Sequence, residues 1–247
     1  MKKGLNDDRF TIGGITPERS CRMRTIAAFV WFLFCTSVFA AEAEALSQKD
    51  ASEGLKQALT QGAKAAVDRL SVTDGFLGNP KVRIPLPGAL QKVEGVMRTL
   101  GMSKYADNLI VAMNRAAEKA TTEATPLMLG AVENMSVEDA REILAGGDDA
   151  ATRYFRSATS EELTQKFLPV VKEATSQVGL MKKYNEFAGK GVKFGLVAEK
   201  DANIENYVTQ KTLDGLFLIM AEEERAIRSD PAGQANALLQ KVFGSVK

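Results

Sequence analysis

The chain of 247 residues contains no histidine. That absence removes every Ser-His-Asp triad, every Cys-His pair, the His-x-Glu deaminase signature and the His-containing zinc sites, because each needs an imidazole that titrates near neutrality or ligates a metal. Cysteine is nearly absent as well. The two present, Cys21 and Cys35, both fall in the leader read below, so the mature chain is expected to carry no disulfide or thiol chemistry. No Ser-x-x-Lys or Gly-x-Ser-x-Gly motif occurs, so an activated serine has no evident base. A formal net charge of +1 gives no field that would hold nucleic acid. What is present is 45% hydrophobic and 26% charged residues, enough to build a core and too apolar for a disordered chain.

Residues 1–40 read as a leader. Arg22 and Arg24 precede an apolar run from Ile26 to Ala40 that includes Phe29, Trp31, Phe32, Leu33 and Phe34, which is a basic n-region followed by an h-region. Val38-Phe39-Ala40 places small residues at the minus-three and minus-one positions, so cleavage is expected after Ala40. Residues 1–22 contain Asp7, Asp8 and Glu18, poor material for an n-region, and translation is expected to begin at Met23. The run falls short of the roughly 20 residues a membrane span needs, so no stable span is expected after cleavage. Cys35 follows Phe34 inside the h-region, which argues against lipidation. Removing a leader with six basic and three acidic residues from a chain with 32 basic and 31 acidic leaves a net charge of −2. The expected location is the periplasm.

From Ala45 onward the pattern is one of successive amphipathic helices, with no period-two alternation that would call for a sheet. The fold class predicted is all-α, a single-domain multi-helix bundle over residues 41–247 with one long Gly/Pro-rich loop and, from about residue 196, a C-terminal helical subdomain. A first helix is expected from Ser47 to near Ser71. Residues 71–88 follow as the one long non-helical stretch, because Pro80, Pro85 and Pro87 remove donors and fix φ. Helices are then expected over 89–100 and 104–121, from a start with Pro126 in first position, and over 137–145 behind a Ser136 cap. Asp148 or Asp149 is expected to cap a short helix bearing Tyr154 and Phe155, and Ser160 to open another through Phe167, kinked at Pro169, towards Gly179. A glycine-rich break over 189–195 precedes a long helix from Asn203, and Asp230-Pro231 starts a last one that ends at Gly244.

Four segments stand out: Gly75-Phe76-Leu77-Gly78-Asn79-Pro80 with Ile84-Pro85-Leu86-Pro87, Met113-Asn114-Arg115-Ala116-Ala117-Glu118, Gly146-Gly147-Asp148-Asp149-Ala150-Ala151-Thr152, and Leu213-Asp214-Gly215-Leu216-Phe217. On these the chain resembles a bacterial family of exported, all-helical proteins carrying a single domain of unknown function. The resemblance implies export and fold, and it brings no catalytic residue with it.

The candidate site gathers around these segments. Arg83 is an always-charged fork in a stiff apolar strand; it suits an anionic ligand, or it pairs with Asp148 or Asp149 and fastens the loop. Asn114 and Glu118 lie one turn apart and either converge on a ligand or bond each other. Arg115 and Arg156 would join Arg83 on an anion, Asn114 and Tyr154 would orient it, and Phe76, Leu77 and Ile84 would cover its apolar part. Asp148 and Asp149 read better as helix caps than as a cation site, since the calcium-loop spacing is missing. Glu222-Glu223-Glu224 points three ways around a helix and is expected to pair with Arg225 and Arg228. The basic and aromatic stretch around Lys182, Lys183, Tyr184, Phe187, Lys190, Lys193 and Phe194 is read as a solvated face, with contact to anionic lipid the alternative. The expected function is non-catalytic binding of a small anionic or amphipathic ligand, with no cofactor and no metal implied. A scaffold protein packing against an envelope protein is the alternative. A histidine-free hydrolase using two of Glu118, Asp148 and Asp149 ranks third.

Overall fold

The computed structural model describes residues 36–99, 101, 103–176, 179–193 and 202–230. The chain divides into two compact units, residues 1–48 and residues 49–247. The h-region up to Cys35 and the last expected helix, residues 231–244, lie outside the described residues. The described part is all-α and holds eight helices and no strand. They are α1 (Thr36–Leu70), α2 (Gly88–Thr99), α3 (Ser103–Thr121), α4 (Ala124–Glu133), α5 (Val137–Ala145), α6 (Ala150–Thr175), α7 (Gly179–Lys193) and α8 (Ile204–Ser229). None of them is long and apolar enough to cross a membrane.

Helices α3, α6 and α8 pack against one another and form the centre of the second unit. Helix α3 buries Leu109, Met113, Ala116, Ala117 and Ala120, a stripe whose alanines let a neighbour come close. Helix α6 carries Phe155, Thr159, Leu163, Phe167 and Val171 at an unbroken spacing of four, all buried. Helix α8 is buried on most of its circumference, with Ile204, Val208, Leu213, Leu216, Phe217, Ile219 and Met220 in the same core as α3 and α6. A helix apolar on so many sides belongs in the interior, so the segment beyond residue 203 supplies the central element of this core. Leu55, Leu59, Ala66 and Leu70 bring the end of α1 onto that core.

Several boundaries differ from those expected, each for a physical reason. Helix α1 already runs at Thr36, eleven residues before the expected cap at Ser47. Helix α4 begins at Ala124, so Pro126 occupies the first turn, where its missing N–H has no partner to lose, and not the first position. Helix α6 is one continuous element; Ser160 does not open a helix but turns its hydroxyl back onto the Arg156 carbonyl one turn earlier. Helix α7 continues through Gly189 and Gly191 to Lys193, so the break expected over 189–195 does not form up to residue 193, and 194–195 lie outside the described residues. The cap at Ser136 forms as expected, with the Ser136 hydroxyl accepting from the Asp139 N–H and the Asp139 carboxylate accepting from the Ser136 N–H.

Candidate functional site

Residues 71–88 lie as a strap over the core, and their course follows from local chemistry. Asp74 takes a left-handed φ of 68°, which a short polar side chain tolerates. Gly75 must be glycine, because a Cβ there would stand 2.4 Å from the Leu70 carbonyl oxygen. Turns close between Asp74 and Gly78 (3.0 Å) and between Asn79 and Arg83 (2.9 Å). From Val82 to Leu86 the side chains alternate, with Val82, Ile84 and Leu86 buried and Arg83 and Pro85 exposed. Under the strap, Gly215 of α8 receives the Phe76 ring; a methyl at that position would sit 2.7 Å from Phe76 Cε1.

No strand neighbours the strap among the described residues, and side chains satisfy its backbone at Phe76, Leu77 and Ile84. Asn114, fully buried on α3, donates from Nδ2 to the Ile84 carbonyl (2.9 Å) and accepts the Ile84 N–H at Oδ1 (2.8 Å), the same two bonds that a paired strand would supply. Its second amide hydrogen goes to the Ile110 carbonyl (2.8 Å). One turn on, Glu118 Oε1 accepts the N–H groups of Phe76 (3.1 Å) and Leu77 (3.2 Å). Glu118 Oε2 receives Arg115 (2.7 Å), whose other arm reaches Asp74 (2.7 Å), so a chain of charge runs from the buried carboxylate to the strap's turn. The Glu118 hydrogen bond first, and that of Asp74 second, raise the Arg115 pKa above its ordinary value. On the other edge, the Tyr207 hydroxyl of α8 donates to the Pro85 carbonyl (3.1 Å), and Lys81 reaches Glu222 (2.6 Å).

A second carboxylate organises the start of α6. Glu224 is buried on α8 and accepts the N–H groups of Ala151 and Thr152 (both 2.9 Å) and the Thr152 hydroxyl (2.8 Å), while Arg228 grips the same carboxylate through Nε (3.0 Å) and Nη2 (2.9 Å). Arg228 also donates to the Ile143 carbonyl in the last turn of α5 (2.9 Å). The free N–H groups of α6 thus receive a carboxylate from the far end of the sequence. Asp149 stands at the N-cap position, yet its side chain makes no capping bond and pairs with Arg153. The expected cap is corrected accordingly: the capping carboxylate is that of Glu224.

The expected site residues therefore separate into two sets. Asn114 and Glu118 converge, but on the strap's backbone, and the expected choice between a shared ligand and a mutual bond is replaced by this third arrangement, with Arg115 joining Glu118 to the Asp74 side chain. Phe76 and Ile84 are in the core at 0% and 1% exposure, with Leu77 partly buried against it. Tyr154 donates its hydroxyl to the Ala131 carbonyl (2.8 Å), and burial, then the charge of Asp139, raises its pKa. Arg83 is exposed and has no acidic partner among the described residues, so the expected fastening to Asp148 or Asp149 does not form there. Arg156 lies exposed over the Phe217 ring, 4.5 Å from its centroid. Glu222 and Glu223 reach Arg69 on α1, and Glu224 alone of the three makes the expected bond within its helix. Lys182 is exposed, Tyr184 is buried, and Phe194 lies outside the described residues. No group of three or more acidic side chains among the described residues is arranged to hold a metal ion.

Tyr207, Gly215 and the seat of Glu224 were not singled out for these roles. Glu224 had a sequence signal, since Leu216, Met220 and Glu224 continue one stripe at a spacing of four, and a carboxylate on an apolar stripe requires buried donors. Two cavities lie away from the strap. One is an open groove of about 640 Å³ between α1 and the end of α4, lined by Lys56, Thr60, Lys64, Val132 and Glu133. The other is a pocket of about 30 Å³, the size of one water, beside the Glu224–Arg228 pair and closed by Leu55, Ala58, Leu59 and Ile227.

An all-helical domain crossed by a side-chain-anchored strap is the class that fold and site define. The chain belongs to a family of proteins of unknown function, DUF4197, which it matches over residues 45–244. No curated protein matches it, and no solved structure does.

Proposed function

We propose that the protein is exported to the periplasm with loss of residues 1–40 and acts there by binding, without chemistry of its own. Its ligand is anionic or amphipathic and meets the outer face of the strap, where Arg83 makes the principal contact. The observation that carries this reading is the use of Asn114 and Glu118 inside the fold: the strap's own backbone takes their hydrogen bonds, whereas Arg83 faces solvent on a backbone fixed through Ile84. With the backbone already fixed, only the rotamers of the Arg83 side chain, about 0.5–1.5 kcal/mol, have to be ordered when the fork takes a carboxylate or phosphate. Arg156, exposed over Phe217, is proposed as a second cation for such a group. Export is supported by the h-region with Ala40 at its end.

The scaffold reading is favoured by one observation. Phe76 and Ile84, which would have covered the apolar part of a small ligand, fill the core instead, and a protein partner needs no such cover. The hydrolase reading draws no support from the geometry, because Glu118 lies under the strap with both oxygens engaged and Asp149 pairs with Arg153.

Native mass spectrometry of the mature protein, purified gently from its own envelope beside an Arg83→Ala variant, tests the proposal. A small added mass that disappears with Arg83 supports ligand binding. A bare monomer rejects it, and a complex with another protein transfers the weight to the scaffold reading. Intact mass that retains Trp31 rejects the cleavage.

A further inference from the structure

We draw no further inference here: the strongest candidate, the side-chain cluster at the start of α6 in which Thr152 and Arg228 seat an anion, carries nothing beyond the fold, because the group seated there is the chain's own Glu224 carboxylate and nothing else at the cluster points to a ligand from outside.

Discussion

Replacing Asn114 with leucine leaves a side chain of similar size in the same buried position and removes all three of its hydrogen bonds. The Ile110 carbonyl keeps its helical partner, so the loss falls on Ile84. That residue is 1% exposed, and its N–H and C=O have no water to turn to. An orphaned buried backbone group costs about 1–3 kcal/mol, and two of them about 2–5 kcal/mol once partial relaxation of the strap is allowed. A domain of this size is stable by roughly 5–15 kcal/mol, so the change removes a large share of the whole. At about 2–4 °C per kcal/mol, the midpoint of thermal unfolding should fall by roughly 5–15 °C. Urea denaturation of the variant and the parent, with the slope held equal, measures the same quantity directly. Asn114→Asp should be no better, since a carboxylate accepts the Ile84 N–H but presents charge to two carbonyls. The rival idea, in which Asn114 orients a ligand, predicts the reverse: stability within about 0.5 kcal/mol of the parent and binding lost. A leucine variant of undiminished stability would refute the anchoring role.

Three further outcomes follow from the packing and the charges. Gly215→Ala should destabilise by about 1–3 kcal/mol, because its methyl meets the buried Phe76 ring at 2.7 Å and Val82 Cβ at 3.3 Å; combining it with Phe76→Leu should cost less than the sum of the two single changes in a double-mutant cycle, and strict additivity would count against the contact. Glu224→Ala should cost about 3–5 kcal/mol by taking the carboxylate away from the Arg228 guanidinium and from two N–H groups, and formate at tenfold its dissociation constant should return about 1.4 kcal/mol, read as a rise in melting temperature that equimolar chloride does not give. Ser136→Ala should lose about 1 kcal/mol near neutrality. The Ser136 hydroxyl, then its N–H, lowers the Asp139 pKa in the folded state, so this contribution is present above the ordinary carboxylate value and fades as pH falls through the lowered one. The gap between parent and variant should therefore narrow below about pH 4 in denaturation curves taken across pH, leaving the part due to the bond from the Asp139 N–H to the Ser136 hydroxyl, and a gap that widens there would contradict the capping box.

Helices were legible because their signal is local. The stripes of α3 and α8, the cap at Ser136 and the break at residues 71–88 all express periodicity or backbone chemistry within a few positions. The same locality explains the errors. Ser160 with two following glutamates resembles a helix start, and only the packing of Phe155, Thr159, Leu163 and Phe167 on one face makes α6 continuous. Asp149 resembles a cap, while the carboxylate that takes the N–H of Thr152 is 72 residues away. At the candidate site the residues were legible and their partners were not. Asn114 and Glu118 were marked by being polar on a helix rich in alanine, yet no spacing shows that their partners are Ile84, Phe76 and Leu77, between 30 and 42 residues earlier. Side chains that bind a ligand and side chains that bind the chain's own backbone use the same donors and acceptors, and only burial separates them.

The most direct test of this account is amide hydrogen exchange on the strap. Phe76, Leu77 and Ile84 belong to no helix and no strand, and side-chain oxygens alone accept their N–H groups. If Asn114 and Glu118 anchor the strap as described, these three amides exchange as slowly as those of α3 and α8, near the limit set by global unfolding. Exchange at the rate of an open surface loop would contradict the anchoring and return Asn114 and Glu118 to the set of residues free to meet a ligand.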